Sequence, residues 1–259
     1  MVRQSYTAKE LFCMAYIQNK QKMYGIPDGF GAMPREMRIA EIQRISDGLT
    51  DEGIIEMDMD GSVELNESCK AMLDYICECD MCLTLNVQKS PNGLQSYMFW
   101  QHNSSYMMAE VIGDRYLLST ADAFTIRGLV EQAWDNDKES SIPDKIIVPQ
   151  LALVKAKRRI GEEKTEDAFR ILRQNGADEK AAQIILSGLS EKAGYLGVLL
   201  MDNHTGECKK QEYCYLFDND VIFALSQQVL NFRTCAVFSG VDSKAVQETL
   251  TSAVDNFLK

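Results

Sequence analysis

Hydrophobic residues follow a helical spacing in the first eighty positions of the chain. Residues 7–23 carry apolar side chains three and four positions apart, and Thr7 with Glu10 has the pattern of a capping box. Pro34 suits the first turn of a second helix. An alternating stretch over residues 55–65 then indicates a small hairpin, and residues 67–77 indicate a third helix.

From Met81 the pattern changes to short apolar runs separated by turn residues. The runs read CLTLNV, SYMFW, YMMAEVI and RYLLST, and the turns between them are Pro-Asn-Gly, His-Asn-Ser-Ser and Gly-Asp. Such residues accept the backbone angles of tight hairpins, so the pattern predicts four antiparallel strands. Asp122 can cap a following helix whose apolar residues recur at i, i+3, i+4, i+7 and i+8 from Ile126.

The second half of the chain has the same order of elements. After a polar stretch, Pro143 leads into a predicted helix that reaches about residue 159, Thr165 caps another, and Asp178 opens a third. Four more apolar runs follow, YLGVLLM, EYCYLF, VIFAL and TCAVF. Asp242 can cap a closing amphipathic helix. Each half therefore reads as helices, four strands and one Asp-capped helix.

The spacing of matched features favours an internal duplication. The turn glycines Gly93 and Gly206 are 113 residues apart, and the capping residues Asp122 and Asp242 are 120 apart, a drift that loops can absorb. We therefore expect a single α+β domain, with a central antiparallel sheet flanked by helices, built from two pseudo-repeats at about 1–141 and 142–259. The alternative is that any two antiparallel units share this pattern.

Composition narrows the classes of partner. The net charge of −11 disfavours nucleic acid and anionic membrane surfaces, which attract clustered Lys and Arg. We find no apolar run long enough to span a membrane and no export signal, so we expect a cytoplasmic protein whose eight cysteines are reduced.

Two acidic or thiol-rich stretches raise the alternative of a calcium- or zinc-responsive protein. The segment between Glu56 and Glu67 has acids at positions 1, 3 and 5, Gly at 6 and Glu at 12 of an EF-hand loop, but Glu replaces the usual first Asp. Cys77, Cys79 and Cys82 lie near Cys69, yet only the Cys79–Cys82 pair has the spacing of a zinc ligand pair. We expect a hairpin and buried thiols there, and no cofactor.

Catalytic signatures are missing from the sequence. The two histidines, His102 and His204, both fall at predicted hairpin turns, and no GxSxG, HExxH, P-loop or dinucleotide fingerprint occurs. The chain is therefore predicted not to be an enzyme.

The predicted strands are apolar on both faces. In SYMFW, Tyr97 lies on the face opposite Met98 and Trp100. Antiparallel strands normally keep one polar face, so either helices cover both sides or part of one face is kept for a partner. If part of one face is kept for a partner, we predict that the partner site lies at the Pro-Asn-Gly turn and along the strand that follows it. It consists of Ser90, Asn92, Gly93, Leu94, Tyr97 and Trp100.

Across nearly its whole length the chain resembles the EspG-type chaperones of type VII (ESX) secretion. The resemblance lies in the apolar and Gly pattern of YTAKELFCMAYI, PREMRIAEIQRISDGLTDEGII, DAFRILRQNGADEKAAQIILSGLSEKAGYLGVLLMDNHTGE and TCAVFSGVDSKAVQETLTSAVDNFL. It implies a pseudo-twofold α+β fold without catalysis or cofactor. It also implies cytosolic binding of secreted helical-hairpin substrates such as PE-PPE pairs, whose apolar tip is shielded until export.

This chain departs from the best-known members of that family in its composition. It is rich in Lys, Asn, Met and Cys and poor in Pro, so an LXG- or WXG-type substrate is a further expectation. No contact motif of the family matches, so no partner-contact residue is transferred from it. The sequence leaves open the substrate, the secretion system and whether the free protein forms a homodimer through its sheet.

Overall fold

The computed structural model describes residues 5–57, 62–89, 93–134, 145–189, 194–218 and 221–259. Within these ranges the chain forms eight α-helices, a ten-stranded antiparallel sheet and a two-stranded ribbon. No helix in the described ranges is both long and apolar enough to cross a membrane.

The first half contains eleven of the described elements. They are β1 (Ser5–Thr7), α1 (Ala8–Ile17), α2 (Arg35–Asp51), β2 (Ile55–Met57), β3 (Val63–Leu65), α3 (Glu67–Cys77), β4 (Met81–Gln88), β5 (Leu94–His102), β6 (Ser105–Ile112), β7 (Arg115–Ala121) and α4 (Ala123–Ala133). The second half follows the same plan without a ribbon. Its elements are β8 (Ile146–Pro149), α5 (Gln150–Gly161), α6 (Thr165–Gln174), α7 (Glu179–Leu189), β9 (Gly194–Asp202), β10 (Lys209–Asp218), β11 (Val221–Leu230), β12 (Arg233–Gly240) and α8 (Ser243–Phe257).

The order of strands in the large sheet reads the same outward from its centre. It runs β1-β7-β6-β5-β4-β9-β10-β11-β12-β8, so each half supplies a four-stranded meander and one short edge strand. The halves join where β4 pairs with β9, with Leu85 opposite Val198. The matched turn glycines Gly93 and Gly206 have nearly the same φ, 79° and 77°. This confirms the α+β fold class with pseudo-twofold halves.

Helices cover both faces of the sheet. Leu83 and Leu85 of β4 point into a core beneath α4 and α8. The intervening Cys82 points to the opposite face, into a second core that α1, α2 and α3 share. On that same face, α5, α6 and α7 cover the second half and form a third core around Phe223 and Phe238. The apolar character of both strand faces is thus largely explained by the protein's own helices.

Helices α4 and α8, which end the two halves, each have an aromatic residue at their C-terminal end that contacts a strand of the other half. Phe257 of α8 lies 6.4 Å from the ring of Phe99 and 5.9 Å from that of Tyr106, both in the first half. Trp134, at the end of α4, meets Phe217 of β10 edge-on at 5.1 Å, and its indole N–H donates to Ser243 Oγ. Neither half therefore covers its own strands alone.

Helix caps appear where the sequence predicts them. Thr7 and Glu10 form a reciprocal capping box on α1. The carboxylates of Asp122 and Asp242 accept 2.7 Å hydrogen bonds from the N–H groups of Thr125 and Ala245. Asp178 caps α7 in the same way, but Thr165 does not cap α6, because it is already the first helical residue and Lys164 occupies the cap position.

No strand is predicted at the position of either edge strand. Residues 5–7 pair with β7, and α1 begins only at Ala8. The segment after Pro143 is predicted as helix, yet Ile146–Pro149 pairs with β12 and α5 starts at Gln150. The physical reason is that two β-branched isoleucines and a valine precede Pro149, whose ring disfavours a helical residue before it.

Candidate partner-binding surface

The predicted partner site centres on the turn between β4 and β5. Ser90 and Asn92 lie outside the described residues. Gly93 has a φ of 79°, which a side chain would disfavour, and a Cβ there would meet open space. Leu94 follows it with 59% of its surface exposed. The described end of this hairpin is thus an exposed turn with one accessible apolar side chain.

Tyr97 and Trp100 do not lie on one surface with Leu94. Tyr97 points to the α4–α8 face, stacks on Phe99 at 6.4 Å, and burial raises the pKa of its phenol. Trp100 shares the face of Leu94 but is fully buried, and its indole N–H donates a 2.8 Å hydrogen bond to the carbonyl oxygen of Tyr24. Trp100 therefore lies beneath the surface and not at its border, because α3 and the segment before α2 cover it.

Leu94 lies at the rim of a polar row that crosses the centre of the sheet. Ser96 pairs with Asn86, Asn86 pairs with Gly197, and Gly197 pairs with Cys214. One row nearer the turn, Leu94 pairs with Gln88, which pairs with Tyr195. We call these seven residues the central strip: Gln88, Leu94, Asn86, Ser96, Tyr195, Gly197 and Cys214.

The central strip separates two hydrophobic cores. The core around Trp100 lies on one side of it and the core around Phe238 on the other. Its side chains are half-buried or exposed, and the Ser96 hydroxyl donates a 2.6 Å hydrogen bond to Asn86 Oδ1. The strip therefore offers hydrogen-bonding groups at a place where the helices of the two halves do not bury the sheet completely.

Tyr195 shapes the middle of the strip by lying over Gly197. A Cβ added to Gly197 would come within 2.3 Å of the Tyr195 hydroxyl oxygen. Burial raises the pKa of Tyr195 to about 12 and that of the neighbouring Cys214 thiol to about 11, and the two groups are hydrogen-bonded. Both are neutral near pH 7, so the strip presents a phenol and a thiol rather than an ionised nucleophile.

Sequence reasoning did not identify Tyr195, Gly197 or Cys214 as members of this strip. The available signal was the glycine inside YLGVLLM, since an isolated glycine in a strand often marks a close approach of other groups. The sequence predicts a partner site at the first hairpin alone, although the second half contributes three of the seven residues of the strip.

The thiols that suggested a metal site are buried and protonated. Cys69, Cys77, Cys79 and Cys82 all lie in the protein interior. Burial raises the pKa values of Cys77 and Cys79 to about 12 each, whereas a zinc ligand must be a thiolate. Among the described His, Cys, Asp and Glu side chains, no three are grouped to hold a metal ion.

The loop between Glu56 and Glu67 is only partly described. Its flanks form the antiparallel ribbon β2–β3, with Met57 opposite Val63, as the hairpin interpretation predicts. The predicted ligand positions Asp58 and Asp60, with Gly61, lie outside the described residues.

Both histidines occupy turns and have local partners. His102 Nδ1 lies 2.9 Å from the carbonyl oxygen of Glu78, and His204 Nδ1 lies 3.1 Å from the carboxylate of Asp202. Neither belongs to the central strip.

Comparison with known proteins gives a structural neighbour but no sequence relative. No protein-family model matches the chain, and no curated protein sequence matches it. The fold is similar to that in the structure of the Mycobacterium tuberculosis type VII secretion system chaperone EspG5 in complex with a PE25-PPE41 dimer. The TM-score is 0.50 and the identity 12%, and the match covers 97% of this chain and 95% of that chain. At this identity the likeness concerns the fold.

Proposed function

We propose that this protein is a non-enzymatic, EspG-like chaperone that binds a secreted helical-hairpin substrate of a type VII secretion system in the cytoplasm and keeps it soluble before export. The observation that carries the proposal is the likeness over 97% of the chain to a type VII secretion system chaperone whose structure is of its complex with a PE25-PPE41 dimer. The expected client is a PE-PPE pair, or an LXG- or WXG-type protein.

The physical character of the surface supports this role. The chain is acidic, with a net charge of −11, which favours solubility of a complex that contains an aggregation-prone client. The central strip combines polar groups with the exposed Leu94 at its rim. A helical hairpin has few free polar groups except at its tip, where backbone N–H and C=O groups need partners.

We propose that the client tip contacts the central strip and the adjoining β4–β5 turn. Leu94 would contact apolar side chains of the tip, and Asn86 and Ser96 would hydrogen-bond its backbone. Ser90, Asn92 and Gly93 of the turn remain part of the proposed site, whereas Tyr97 points to the opposite face of the sheet and lies outside it. Trp100 supports the strip from beneath without touching the client.

Co-expression tests the proposal directly. The chain is produced with tagged PE-PPE, LXG or WXG candidates from its own genome, purified through the tag and passed over a size-exclusion column. A stable complex with one class is the expected result. Failure of all three classes to co-purify would refute the chaperone assignment.

A matched pair of variants locates the site in that experiment. Leu94→Asp is expected to weaken client binding at least about tenfold, because a charge would enter an apolar contact. Met37→Asp changes a comparably exposed side chain, 61% against 59%, on α2 and is expected to leave binding unchanged. If both variants bind the client equally well, Leu94 is not part of the binding site.

A further inference from the structure

A groove of about 610 Å³ lies between α5 and the hairpin that joins β11 to β12. We call it the α5 groove. Its lining includes Pro149, Leu151, Val154, Lys155, Arg233 and Thr234. Leu151 and Val154 are 66% and 58% exposed, and one helical turn separates them on α5. The groove is at the outer edge of the second half, away from the central strip.

The hairpin turn extends this apolar surface with an unusual phenylalanine. Phe232 is fully exposed and has a φ of 62°, and Asn231 before it has a φ of 49°. Two positive φ values define a turn that prefers Asn-Gly, so a bulky residue at the second position costs stability. Val229, whose Cα pairs with Thr234 of the groove, is also exposed. A large apolar side chain is thus held in solvent at a position that disfavours it.

The groove is basic although the whole chain is acidic. Residues 145–161 contain five Lys and Arg and no Asp or Glu, against a net charge of −11 for the chain. Arg158 and Arg159 pair with Glu162. Within the ranges that the structure covers, Lys155, Lys157 and Arg233 form no salt bridge.

At the corresponding groove in the first half, charged side chains have partners within the protein. Arg115 follows its two-residue turn as Arg233 does, and it donates hydrogen bonds to the Ser5 hydroxyl and carbonyl oxygens at 2.8 and 2.9 Å. A groove of the same volume lies beside α1, and there Glu41 pairs with Lys9 and Arg44. Lys9, Glu41 and Arg44 of the first-half groove form ion pairs within the protein. Lys155 and Arg233 of the second-half groove form no salt bridge to the described residues and lie beside exposed apolar side chains.

We propose that the α5 groove is a second docking surface, which binds an acidic amphipathic helix of a partner protein. Apolar anchors three or four residues apart would contact Leu151, Val154 and Phe232, and carboxylates beside them would pair with Lys155 and Arg233. Charge complementarity selects an acidic partner. A helix fits better than an added strand, since the edge strand β8 has four residues and ends in Pro149, which has no N–H.

This inference does not rest on the proposed chaperone function, and its test needs no secretion substrate. The probe is a fluorescein-labelled synthetic helix with Leu at i, i+3, i+4 and i+7 and Glu at the exposed positions, compared with the same peptide carrying Lys for Glu. Fluorescence anisotropy with the full chain is expected to give at least about tenfold tighter binding of the Glu peptide, with a difference that shrinks as salt is added.

Three variants place the binding site. Phe232→Gly restores the Asn-Gly turn, so it should raise the melting temperature and yet weaken binding of the Glu peptide roughly fivefold or more. Lys155→Glu should weaken it similarly. Phe124→Ser removes an 86% exposed phenylalanine from α4 and should change nothing. Binding that is equal for the two peptides, or insensitive to Phe232→Gly and Lys155→Glu, would overturn the proposal.

Self-association is the competing use of this groove. Light scattering behind a size-exclusion column reports the mass of the free chain, 29.2 kDa as a monomer. A dimer that Phe232→Gly converts to monomer would show that a second copy occupies the groove, and this would overturn the assignment to an acidic partner helix.

Discussion

Leu94 and Trp100 lie on the same strand and the same face of the sheet, but they differ completely in exposure. Leu94 begins the strand at an open turn, whereas Trp100 is covered on all sides and hydrogen-bonded to the Tyr24 carbonyl oxygen. Truncation of the buried Trp100 and truncation of the exposed Leu94 should therefore change the stability of the protein by different amounts.

Trp100→Ala is expected to lower the free energy of unfolding by about 3–5 kcal/mol, since it leaves a large cavity and an orphaned carbonyl. Leu94→Ala, its control on the same strand, should change it by no more than about 0.5 kcal/mol. Urea denaturation followed by far-ultraviolet circular dichroism measures both. A Trp100→Ala variant as stable as the native protein would contradict the buried position of Trp100.

Cysteine exposure gives a second prediction for single residues. Cys208 is the one exposed thiol of the eight, and burial raises the pKa of Cys13 to about 11 and that of Cys77 to about 12. We expect the native protein at pH 8 to react rapidly with a thiol reagent at Cys208 alone, and at all eight cysteines after unfolding.

The Cys208→Ser variant should lose the fast phase and keep the slow ones. Titration of fewer than eight thiols in the unfolded, unreduced native chain would reveal a disulfide and contradict the free state of the thiols. A fast phase that survives in Cys208→Ser would show that a buried thiol is accessible.

At the scale of elements, Asp122 fixes the start of α4. Its carboxylate accepts a hydrogen bond from the Thr125 N–H, and that bond lowers the pKa of Asp122 below its ordinary value of 3.8. A lowered folded-state pKa means that the cap stabilises the protein fully above the ordinary pKa and that this stabilisation is lost as the pH falls through the folded value.

Asp122→Ala should therefore lower the melting temperature at pH 7 by about 2–4 °C, and this difference should shrink toward pH 2. Asp122→Asn, which keeps a capping oxygen without a titrating group, should stay near the native value at pH 7 and show no such pH dependence. Differential scanning fluorimetry across pH compares the three chains. A constant deficit for Asp122→Ala at every pH would exclude the cap as its cause.

Elements with local signals could be predicted from the sequence, and those defined by long-range pairing could not. The caps at Thr7, Asp122 and Asp242 and the turn glycines act within a few residues, so their pattern is readable. The edge strands β1 and β8 are three and four residues long and owe their conformation to pairing with β7 and β12. Neither has enough residues for an alternating pattern to appear.

The candidate site was less predictable than the fold. The apolar character of both faces of β5 is compatible with helical cover and with a partner surface, and only tertiary packing decides between them. Packing buries Trp100, turns Tyr97 toward α4 and α8, and leaves Leu94 exposed beside Gln88. Asn86 of β4 pairs with Gly197 of β9, which is more than a hundred positions away in the sequence. No local pattern indicates this pairing.

At the scale of the whole molecule, each half depends on the other. Strand β4 needs β9 as its hydrogen-bonded neighbour, and Phe257 of α8 packs on Phe99 and Tyr106 of the first half. Trp134 makes the reciprocal contact with Phe217. These contacts between the halves predict one cooperative domain rather than two independent ones.

Fragments 1–141 and 142–259 are expected to show no cooperative thermal transition when each is produced alone, since each would expose a long unpaired edge and an uncovered apolar face. Produced together, they should assemble and melt as the intact chain does. Calorimetry and circular dichroism compare the three samples. A sharp transition in either isolated fragment would contradict this interdependence.

The contacts that α4 and α8 make with strands of the opposite half also limit how the protein can release a bound ligand. Loosening one half withdraws the cover from strands of the other, so a partly open intermediate would expose the core that α4 and α8 share. A ligand on the central strip would therefore dissociate from an intact sheet, not through a hinge between the halves.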